Sequence, residues 1–471
     1  MTQEYVLSFA EGVTVDMGSV DCAVIRTPFT PREYAFRIRA RGLRRVIEVL
    51  SSTGEIEGEL TRQVEERDGA AGLPSFYYCL LAFAERSLLC YGIRCGDRRL
   101  ATLVPTSMGF RFSPGPVKPQ SIYTLSRFAY LHRERADLIL ESPLTHCKVT
   151  LHDAAGATIA AGLAKAQTLN SLYTLLPDLS CDVIELFLQM LVGVGFASEL
   201  KPDELDAGED EVLAQWDFHD LLFHARSRLG RHANALGGTY RFRNKVKPLP
   251  AVKEFDAEET INLYRPDISS LEKEDPPFTL VLERRKSLRD YGRLPITDRQ
   301  LGEFLYRSAR VKEDIKMDLQ DLSRRPYPGG GAIYELELYL NIHACENIPH
   351  GLYHYCPKFH RLERIFGPPG AAKALLRDAA RSARMVEMPQ ILITIAARFQ
   401  RLSWKYESMA YSALLKNVGV LYQTMYLVAT AIGLAPCALG TGDSDLFATA
   451  VGLNYYAETS VGEFLLGSKR E

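Results

Sequence analysis

An apolar strand followed by a long apolar helix limits what the carboxy-terminal half of this chain can fold into. Residues 391–397 read ILITIAA and show no alternation of polar and apolar side chains, so a strand here must be covered on both faces. Apolar residues then recur at helical spacing from Tyr411 to Ile432, and Gly433 and Pro436 end the helix. The two patterns predict an α+β domain in which a central strand packs against a buried helix.

Shorter patterns extend this predicted sheet. Strict alternation over residues 334–340, YELELYL, predicts a half-buried strand. GLYHYCPKFHRLERI predicts a hairpin that turns at Pro357 and Lys358, and VGEFLLG predicts a last strand. Thr297 and Gln300 form a capping box at the start of another helix. The carboxy-terminal domain is therefore predicted to be a mixed sheet with long core helices.

The amino-terminal half predicts two smaller α+β modules, of which the second has the helices and hairpin of a winged-helix-like module. The break FSPGPVKP separates them, because it can continue neither a helix nor a central strand. In the second module LSRFAYLHRERADLILESP predicts a hairpin that turns near Arg135, and Ser180 is placed to cap the next helix. The acidic segment from Lys201 is typical of a solvated linker. We predict modules at residues 1–115 and 116–200, a linker at 201–255 and the larger domain at 256–471.

Composition and spacing argue against several classes of function. The 56 basic and 58 acidic side chains leave a formal net charge of −2, so nothing indicates a nucleic-acid partner. No apolar run approaches the roughly 20 residues of a membrane span, and MTQEYVLSFAEG is unlike a signal peptide. We expect no membrane insertion and a cytoplasmic location. His219 and His224, five residues apart, and scattered cysteines lack the spacing of zinc ligands, so we expect no metal site.

Two basic motifs are suited to binding an anion. ERRKSLRDY places three cations and a hydroxyl within five residues, and guanidinium groups bind phosphate oxygens bidentately. The final KRE supplies two more cations after the last predicted strand. Taken singly, each motif is equally typical of a solvated basic segment. The candidate anion-binding residues are Arg285, Lys286, Ser287, Arg289, Lys469 and Arg470.

Two glycine-rich motifs are suited to holding a flat or anionic ligand. In RPYPGGGAIYELELYL three consecutive glycines precede a strand, and the absence of Cβ atoms lets the backbone approach a ligand closely. In APCALGTGDSD a turn after the long helix exposes peptide N–H groups. Plain loops remain the alternative for both, and neither is a dinucleotide fingerprint. The candidate residues are Pro328, Gly329, Gly330, Gly331, Leu439, Gly440 and Thr441.

The order of these four motifs resembles the flavin-binding pattern of the nitroreductase fold. Several segments over roughly residues 278–471 are similar, more closely, to SagB-type dehydrogenases, the FMN-dependent azoline oxidases of ribosomal peptide natural-product pathways. The amino-terminal half is similar to that of the longer members, the cyanobactin oxidases, in which winged-helix-like domains of peptide-recognition type occur. Family members commonly have a serine where Gly329 stands, so a hydroxyl contact to the flavin is missing here.

The resemblance implies a homodimer with FMN at the subunit interface. The basic residues would hold the phosphate and ribityl chain, and the two glycine-rich segments would hold the ring. The substrate would be an azoline-containing precursor peptide, whose leader could bind the amino-terminal modules, with molecular oxygen as the final acceptor. Two other functions stay open: an NAD(P)H-dependent nitroreductase or flavin reductase on the same fold, and a non-catalytic scaffold that binds a leader peptide.

Lys405 and Tyr406 lie between the apolar strand and the core helix, where a lysine and a phenol are unexpected. From the residues alone, the simpler interpretation is that Lys405 ends a strand and Tyr406 packs with Trp404. The resemblance instead makes Lys405 and Tyr406 the catalytic pair. Converting a thiazoline to a thiazole removes a proton from one ring carbon and a hydride equivalent from its neighbour, so a base must face the substrate.

Overall fold

The computed structural model describes residues 4–19, 22–27, 33–200 and 211–470, and the chain divides into two units, Met1–Asn234 and Ala235–Glu471. The division falls inside the segment predicted as a linker, and residues 201–210 of its acidic part lie outside the described residues. The predicted boundaries at 115, 200 and 255 stay predictions. Within the described residues, no helix has the length and hydropathy that crossing a membrane requires.

The first unit begins with a module in which short strands pack against three helices. Val46, Ile47, Leu60 and Phe83 are buried at the centre of its core. Its strands are β1 (Val6–Phe9), β2 (Thr14–Ser19), β3 (Cys22–Arg26), β4 (Glu33–Arg37), β5 (Glu55–Ile56), β6 (Leu89–Cys95) and β7 (Arg98–Pro105), and its helices are α1 (Arg41–Leu50), α2 (Glu57–Asp68) and α3 (Leu73–Glu85). Strands β2, β3 and β4 form one antiparallel sheet, with β4 at an edge.

The second module continues the main sheet of the first. Its elements are β8 (Ile122–Leu125), β9 (Tyr130–Glu134), β10 (Asp137–Glu141), β11 (Cys147–Leu151), α4 (Ala154–Gly162), β12 (Gln167–Thr168), α5 (Leu169–Leu175), α6 (Cys181–Gly193), β13 (Ala197–Leu200) and α7 (Phe218–Arg226). Strand β11 pairs with β7, so one sheet runs in the order β5-β1-β6-β7-β11-β10-β9. The predicted hairpin turns at Arg135, and α6 begins directly after Ser180, whose side chain makes no capping bond.

The second unit is an α+β domain built on one large sheet. Its elements are β14 (Gly237–Gly238), β15 (Thr260–Asn262), α8 (Ile268–Glu274), α9 (Phe278–Arg284), α10 (Asp298–Ala309), β16 (Glu313–Ile315), β17 (Leu322–Arg324), β18 (Leu336–Ile342), β19 (Gly351–Cys356), β20 (Arg361–Ile365), α11 (Ala371–Ala383), β21 (Ile391–Arg398), α12 (Phe399–Ser403), β22 (Tyr406–Glu407), α13 (Ala410–Ala431), β23 (Leu434–Leu439), α14 (Ser444–Val451) and β24 (Glu458–Ser468).

The large sheet has the strand order β15-β20-β19-β18-β21-β24-β23. Each neighbouring pair of these described strands is antiparallel, whereas the sequence predicted a mixed sheet. The difference arises because hydropathy patterns report burial and not strand direction. The capping box at Thr297 and Gln300 and the hairpin between β19 and β20 are confirmed.

Strand β21 lies near the middle of this sheet and is covered on both faces, as predicted. All of its residues are buried. On one face, α10 and α13 supply Phe304, Leu414 and Met425 to the core. On the other face, α11 and α14 supply Leu375 and Phe447.

Strand β18 is not half-buried, as its alternating sequence predicted, but buried on both faces. Glu337 on its polar side lies 3.2 Å from Nε2 of His354 and 3.3 Å from a guanidinium nitrogen of Arg398. Burial alone would raise the pKa of Glu337, but the hydrogen bond and charge of His354 and the charge of Arg398 lower it to about 2. Alternation cannot distinguish a polar face turned to water from one turned to buried partners.

Candidate functional site: a lysine–tyrosine pair against a glycine loop

The short helix α12 fixes the chain that carries Lys405. Its Arg401 is fully buried and donates hydrogen bonds to the carbonyl oxygens of Leu249 at 2.6 Å, Asp321 at 2.8 Å and Ile333 at 3.2 Å. A buried guanidinium is stable only when its donors are matched in this way. Because Ile333 directly follows the glycine-rich loop, Arg401 ties that loop to the segment before Lys405.

The glycine loop and the predicted catalytic pair, distant in sequence, are in contact. Gly331 has a φ of +65°, and a Cβ atom added there would lie 2.5 Å from the hydroxyl oxygen of Tyr406 and 2.8 Å from Nζ of Lys405. Such distances leave no room for a side chain, so the phenol and the ammonium group touch the Gly331 backbone. Pro328 and Gly331 are exposed, which leaves this side of the loop open to a ligand.

Two buried polar residues, which the sequence analysis did not name as site residues, form a chain of hydrogen bonds to the backbone of this loop. The N–H group of Gly330 donates to Oδ1 of Asn417 at 3.0 Å, and Nδ2 of Asn417 donates to Oε1 of Glu335 at 2.8 Å. Glu335 is fully buried, which raises the pKa of its carboxyl group, and its Oε2 has no hydrogen-bond partner within the described residues. An asparagine on the buried face of the otherwise apolar helix α13 was the available signal.

The loop geometry also accounts for the glycine that replaces the family serine. A Cβ atom at Gly329 would lie 3.1 Å from ring atoms of Tyr334, closer than ordinary packing allows. Tyr334 is itself held by a hydrogen bond of 2.8 Å from its hydroxyl to the carbonyl oxygen of Tyr327. The Tyr334 ring therefore occupies the space next to position 329.

The basic motif after α9 packs against the far end of the helix α13. The hydroxyl groups of Ser287 and Tyr426 are 2.7 Å apart, and the guanidinium of Arg285 lies 5.2 Å from the Tyr426 ring centre. Lys286 and Lys469 line one cavity of about 230 Å³ between α9, α13 and β23. The structure thus brings the first basic motif and the carboxy-terminal lysine together, as their proposed shared role requires.

Two further residues of the basic candidate set, Arg289 and Arg470, lie at the surface. Arg289 lies beside Cys437; burial raises the pKa of that thiol, and the Arg289 charge partly opposes the shift. Arg470 is exposed. Both cations are open to a ligand from solvent.

The turn after β23 faces a different cavity. Leu439 and Thr441 line a space of about 510 Å³ together with the acidic side chains of Asp378, Asp443 and Glu463. Thr441 Oγ1 lies 2.9 Å from the hydroxyl of Ser382, and a Cβ atom at Gly440 would meet no other atom within 4 Å. No contact between this turn and the glycine loop is recorded within the described residues of the chain.

Three family models match successive parts of the chain. Residues 1–114 match the ThcOx helix turn helix domain, residues 123–233 match cyanobactin oxidase ThcOx, and residues 282–467 match the nitroreductase family. This protein has the domain composition of a cyanobactin oxidase. The azoline-oxidase resemblance, the nitroreductase fold of the carboxy-terminal domain and the oxidoreductase class are thereby confirmed.

Two curated relatives match the carboxy-terminal half. A candidate nitroreductase of Methanocaldococcus jannaschii, MJ1384, is 29% identical over 182 residues, which cover 39% of this chain and 85% of that protein. The microcin B17-processing protein McbC of Escherichia coli is 31% identical over 117 residues, which cover 24% of this chain and 42% of that protein. The matched residues span less than half of the length of McbC.

Solved structures show a more distant likeness. The Escherichia coli microcin synthetase McbBCD complex with truncated pro-MccB17 bound has a chain that is 21% identical, with a TM-score of 0.35; 56% of this chain and 95% of that chain are covered. A candidate nitroreductase of Ralstonia eutropha is 21% identical, with a TM-score of 0.36; 47% of this chain and 95% of that chain are covered. Likeness at this level supports no statement about function.

Proposed function

We propose that this protein oxidises azoline rings, thiazolines or oxazolines, in a ribosomally made precursor peptide and yields the corresponding azoles. The observation that supports this most is the contact between the Lys405–Tyr406 pair and the backbone of Gly331. The amine of Lys405 and the phenol of Tyr406 meet there beside an exposed glycine loop, whose backbone is itself suited to holding a flat cofactor. The family matches of the amino-terminal unit support a peptide substrate, whose leader we propose to bind there.

The residues present fit FMN as the cofactor. Lys286 and Lys469 line the 230 Å³ cavity next to Ser287, and the partly exposed glycine loop has no Cβ atoms to keep a flat ring away from its backbone. We propose that Arg285, Lys286, Ser287, Arg289, Lys469 and Arg470 hold the phosphate and ribityl chain, and that residues 328–331 and 439–441 hold the ring. Bound FMN would accept one ring hydrogen of the substrate with its electron pair, and molecular oxygen would be the final oxidant.

The chain itself supplies the group that takes the proton. Nζ of Lys405 lies 5.2 Å from the Tyr406 ring centre, and both side chains are half-buried against Gly331. A thiazoline at this glycine would present a ring C–H bond to Lys405, and loss of that proton together with the second hydrogen leaves the aromatic ring. Tyr406 would share or relay the proton through its hydroxyl.

We propose a homodimer in which the exposed face of α13 takes part. Tyr411, Leu415 and Gly419 recur every four residues on this helix and are exposed, so that aromatic, apolar and small residues face outward along two turns. Leu415→Glu should place a charge in that interface and convert a dimer into a monomer in sedimentation experiments. A wild-type protein that sediments as a monomer at micromolar concentration would contradict this part of the proposal.

The function is tested with a thiazoline-bearing peptide and mass spectrometry, which registers the loss of two hydrogens per oxidised ring. Lys405→Ala should keep its bound FMN and lose roughly 10²–10⁴-fold in turnover, the usual contribution of a general base. Tyr406→Phe removes only the hydroxyl, and a double variant should be little worse than the poorer single variant, since the two residues share one step. Lys373→Ala, at an exposed lysine of α11, is the matched control.

Two outcomes would contradict this assignment. Near-normal turnover by Lys405→Ala would remove the lysine from the mechanism. Loss of turnover in parallel with loss of flavin would favour a packing role for the pair. The alternative functions are separated by two further measurements: rapid NADH or NADPH oxidation would indicate a nitroreductase or flavin reductase, and a colourless protein that does not take up FMN would indicate a scaffold.

A further inference from the structure

The segment around Gly237 lies beside the proposed catalytic pair. It falls outside the residues that the three family models match. The ThcOx match ends at residue 233 and the nitroreductase match begins at residue 282. In between, β14 pairs antiparallel with β22, so that Gly238 lies opposite Tyr406 and Gly237 opposite Glu407. The Gly-Gly pair in this otherwise polar stretch therefore adds a strand directly at Lys405–Tyr406.

Tyr240, two residues after β14, makes a backbone hydrogen bond to Lys405. Its N–H group donates to the carbonyl oxygen of Lys405 at 3.1 Å. Its φ is +52°, in the left-handed region that residues with a side chain seldom adopt. Backbone in this region persists where the surroundings enforce it, and it is concentrated at functional sites.

The ring of Tyr240 faces the lysine side chain. Nζ of Lys405 lies 5.9 Å from the Tyr240 ring centre and 5.2 Å from the Tyr406 ring centre, within the range of cation–π attraction. The ammonium group is thus bounded by two aromatic rings and by the Gly331 backbone. The Tyr240 hydroxyl has no hydrogen bond recorded in the described part of the chain, so the ring itself is the contacting group.

We propose that Tyr240 is a positioning residue that confines the Lys405 side chain against Tyr406 and Gly331, so that the base points to where the azoline ring binds. This inference rests on the proposed function. A purely structural role is the competing explanation, because the Tyr240 ring also meets Trp404 edge-on at 5.9 Å. The two explanations are separated by how much activity each substitution of Tyr240 retains and by how readily Lys405 reacts in it.

Turnover of the thiazoline peptide separates them. Tyr240→Phe keeps the ring face and should retain kcat within about threefold, whereas Tyr240→Leu keeps apolar bulk without a π face and should lose about 10- to 100-fold in kcat, the cost of a misplaced reacting group. The KM for the peptide should stay nearly constant in both variants. Val246→Ala, at an exposed side chain on the same segment, should behave as the wild type. Equal turnover by Tyr240→Leu and Tyr240→Phe would overturn the proposal.

A second measurement does not depend on the reaction. Lys405 should be acetylated slowly by an N-hydroxysuccinimide ester in the wild type, and at least about fivefold faster in Tyr240→Ala, because one of the bounding rings is gone. Mass-spectrometric peptide mapping reads this out, with Val246→Ala as the control. An unchanged rate at Lys405 would overturn the proposal. If wild-type protein forms no azole, the proposed function fails, while the acetylation result still decides whether Tyr240 confines the lysine.

Discussion

Gly331→Ala places a methyl group at the point where the glycine loop meets Lys405 and Tyr406, the proposed catalytic pair. A left-handed φ of +65° costs an alanine roughly 1–2 kcal/mol relative to glycine. The new Cβ atom would lie 2.5 Å from the Tyr406 hydroxyl and 2.8 Å from Nζ of Lys405, so both atoms must move, the hydroxyl by about an ångström, to reach ordinary contact. Both atoms end flexible side chains, so we expect these side chains to move while the loop keeps its fold.

The expected result is a variant that folds but reacts poorly. A loss of about 1–2 kcal/mol lowers the unfolding midpoint by a few degrees only. A displacement of about 1 Å in a reacting group can cost about 100-fold in rate. Turnover is measured as loss of two hydrogens from a thiazoline peptide and is divided by the bound flavin, so that weaker cofactor binding does not mimic a slower reaction.

Gly330→Ala is the matched control for this experiment. Its Cβ atom would lie 3.7 Å from the side chain of Asn417, an ordinary van der Waals distance, and Gly330 is not among the residues with a positive φ. We expect its turnover per flavin to stay within about threefold of the wild type, by the same reasoning on displacement. If Gly331→Ala reacts as fast as Gly330→Ala, the contact between the loop and the pair is unrelated to the reaction.

Three further perturbations test other parts of the second unit. Arg289→Ala removes a charge-assisted phosphate bond and should weaken FMN binding by about ten- to a hundredfold, measured by flavin fluorescence; full flavin content would disprove the assignment. Asn417→Leu leaves the Gly330 N–H group and Glu335 unpaired and should cost about 1–3 kcal/mol in urea unfolding. The pKa of Glu337 is lowered from an ordinary 4.5 to about 2 in the folded protein, so the ionised carboxylate stabilises the fold by roughly 3 kcal/mol above pH 4.5. This contribution to the free energy of unfolding should be lost as the pH falls from about 4.5 to about 2, and Glu337→Gln should abolish that pH dependence.

The elements that sequence predicted well are those with long, regular patterns. β21 and α13 were found because a seven-residue run with a single polar residue, Thr394, and a helical repeat over some twenty residues admit few other structures. The anion-binding cluster stays a prediction; its residues were singled out because guanidinium groups and a hydroxyl are adjacent in the chain. The direction of strands and the burial of Glu337 were not predictable, since both depend on which partners lie on neighbouring strands.

The polar contacts of the candidate site were the least predictable part. Asn417, Glu335 and Arg401 act through partners far away in the sequence, and none carries a local motif. Lys405 and Tyr406 were found through a family resemblance and not through spacing. What the resemblance could not supply was their contact with Gly331, which depends on a left-handed backbone turn in a loop some seventy residues earlier.

The polar segment after Ala235 shows why composition alone misjudges order. Its sequence buries few apolar side chains, which is typical of a linker, yet its carbonyl groups accept buried donors. Nε1 of Trp404 donates to Val246 at 2.7 Å, and Arg401 donates to Leu249 at 2.6 Å. Each of these hydrogen bonds gives a buried donor a partner and so avoids the free-energy cost of burying it unpaired. Arg401 of α12 and Trp404 therefore order the irregular segment, although the segment has no apolar core of its own. Since α12 and Trp404 lead directly into Lys405, these donors lie beside the residue whose carbonyl oxygen accepts the Tyr240 N–H group.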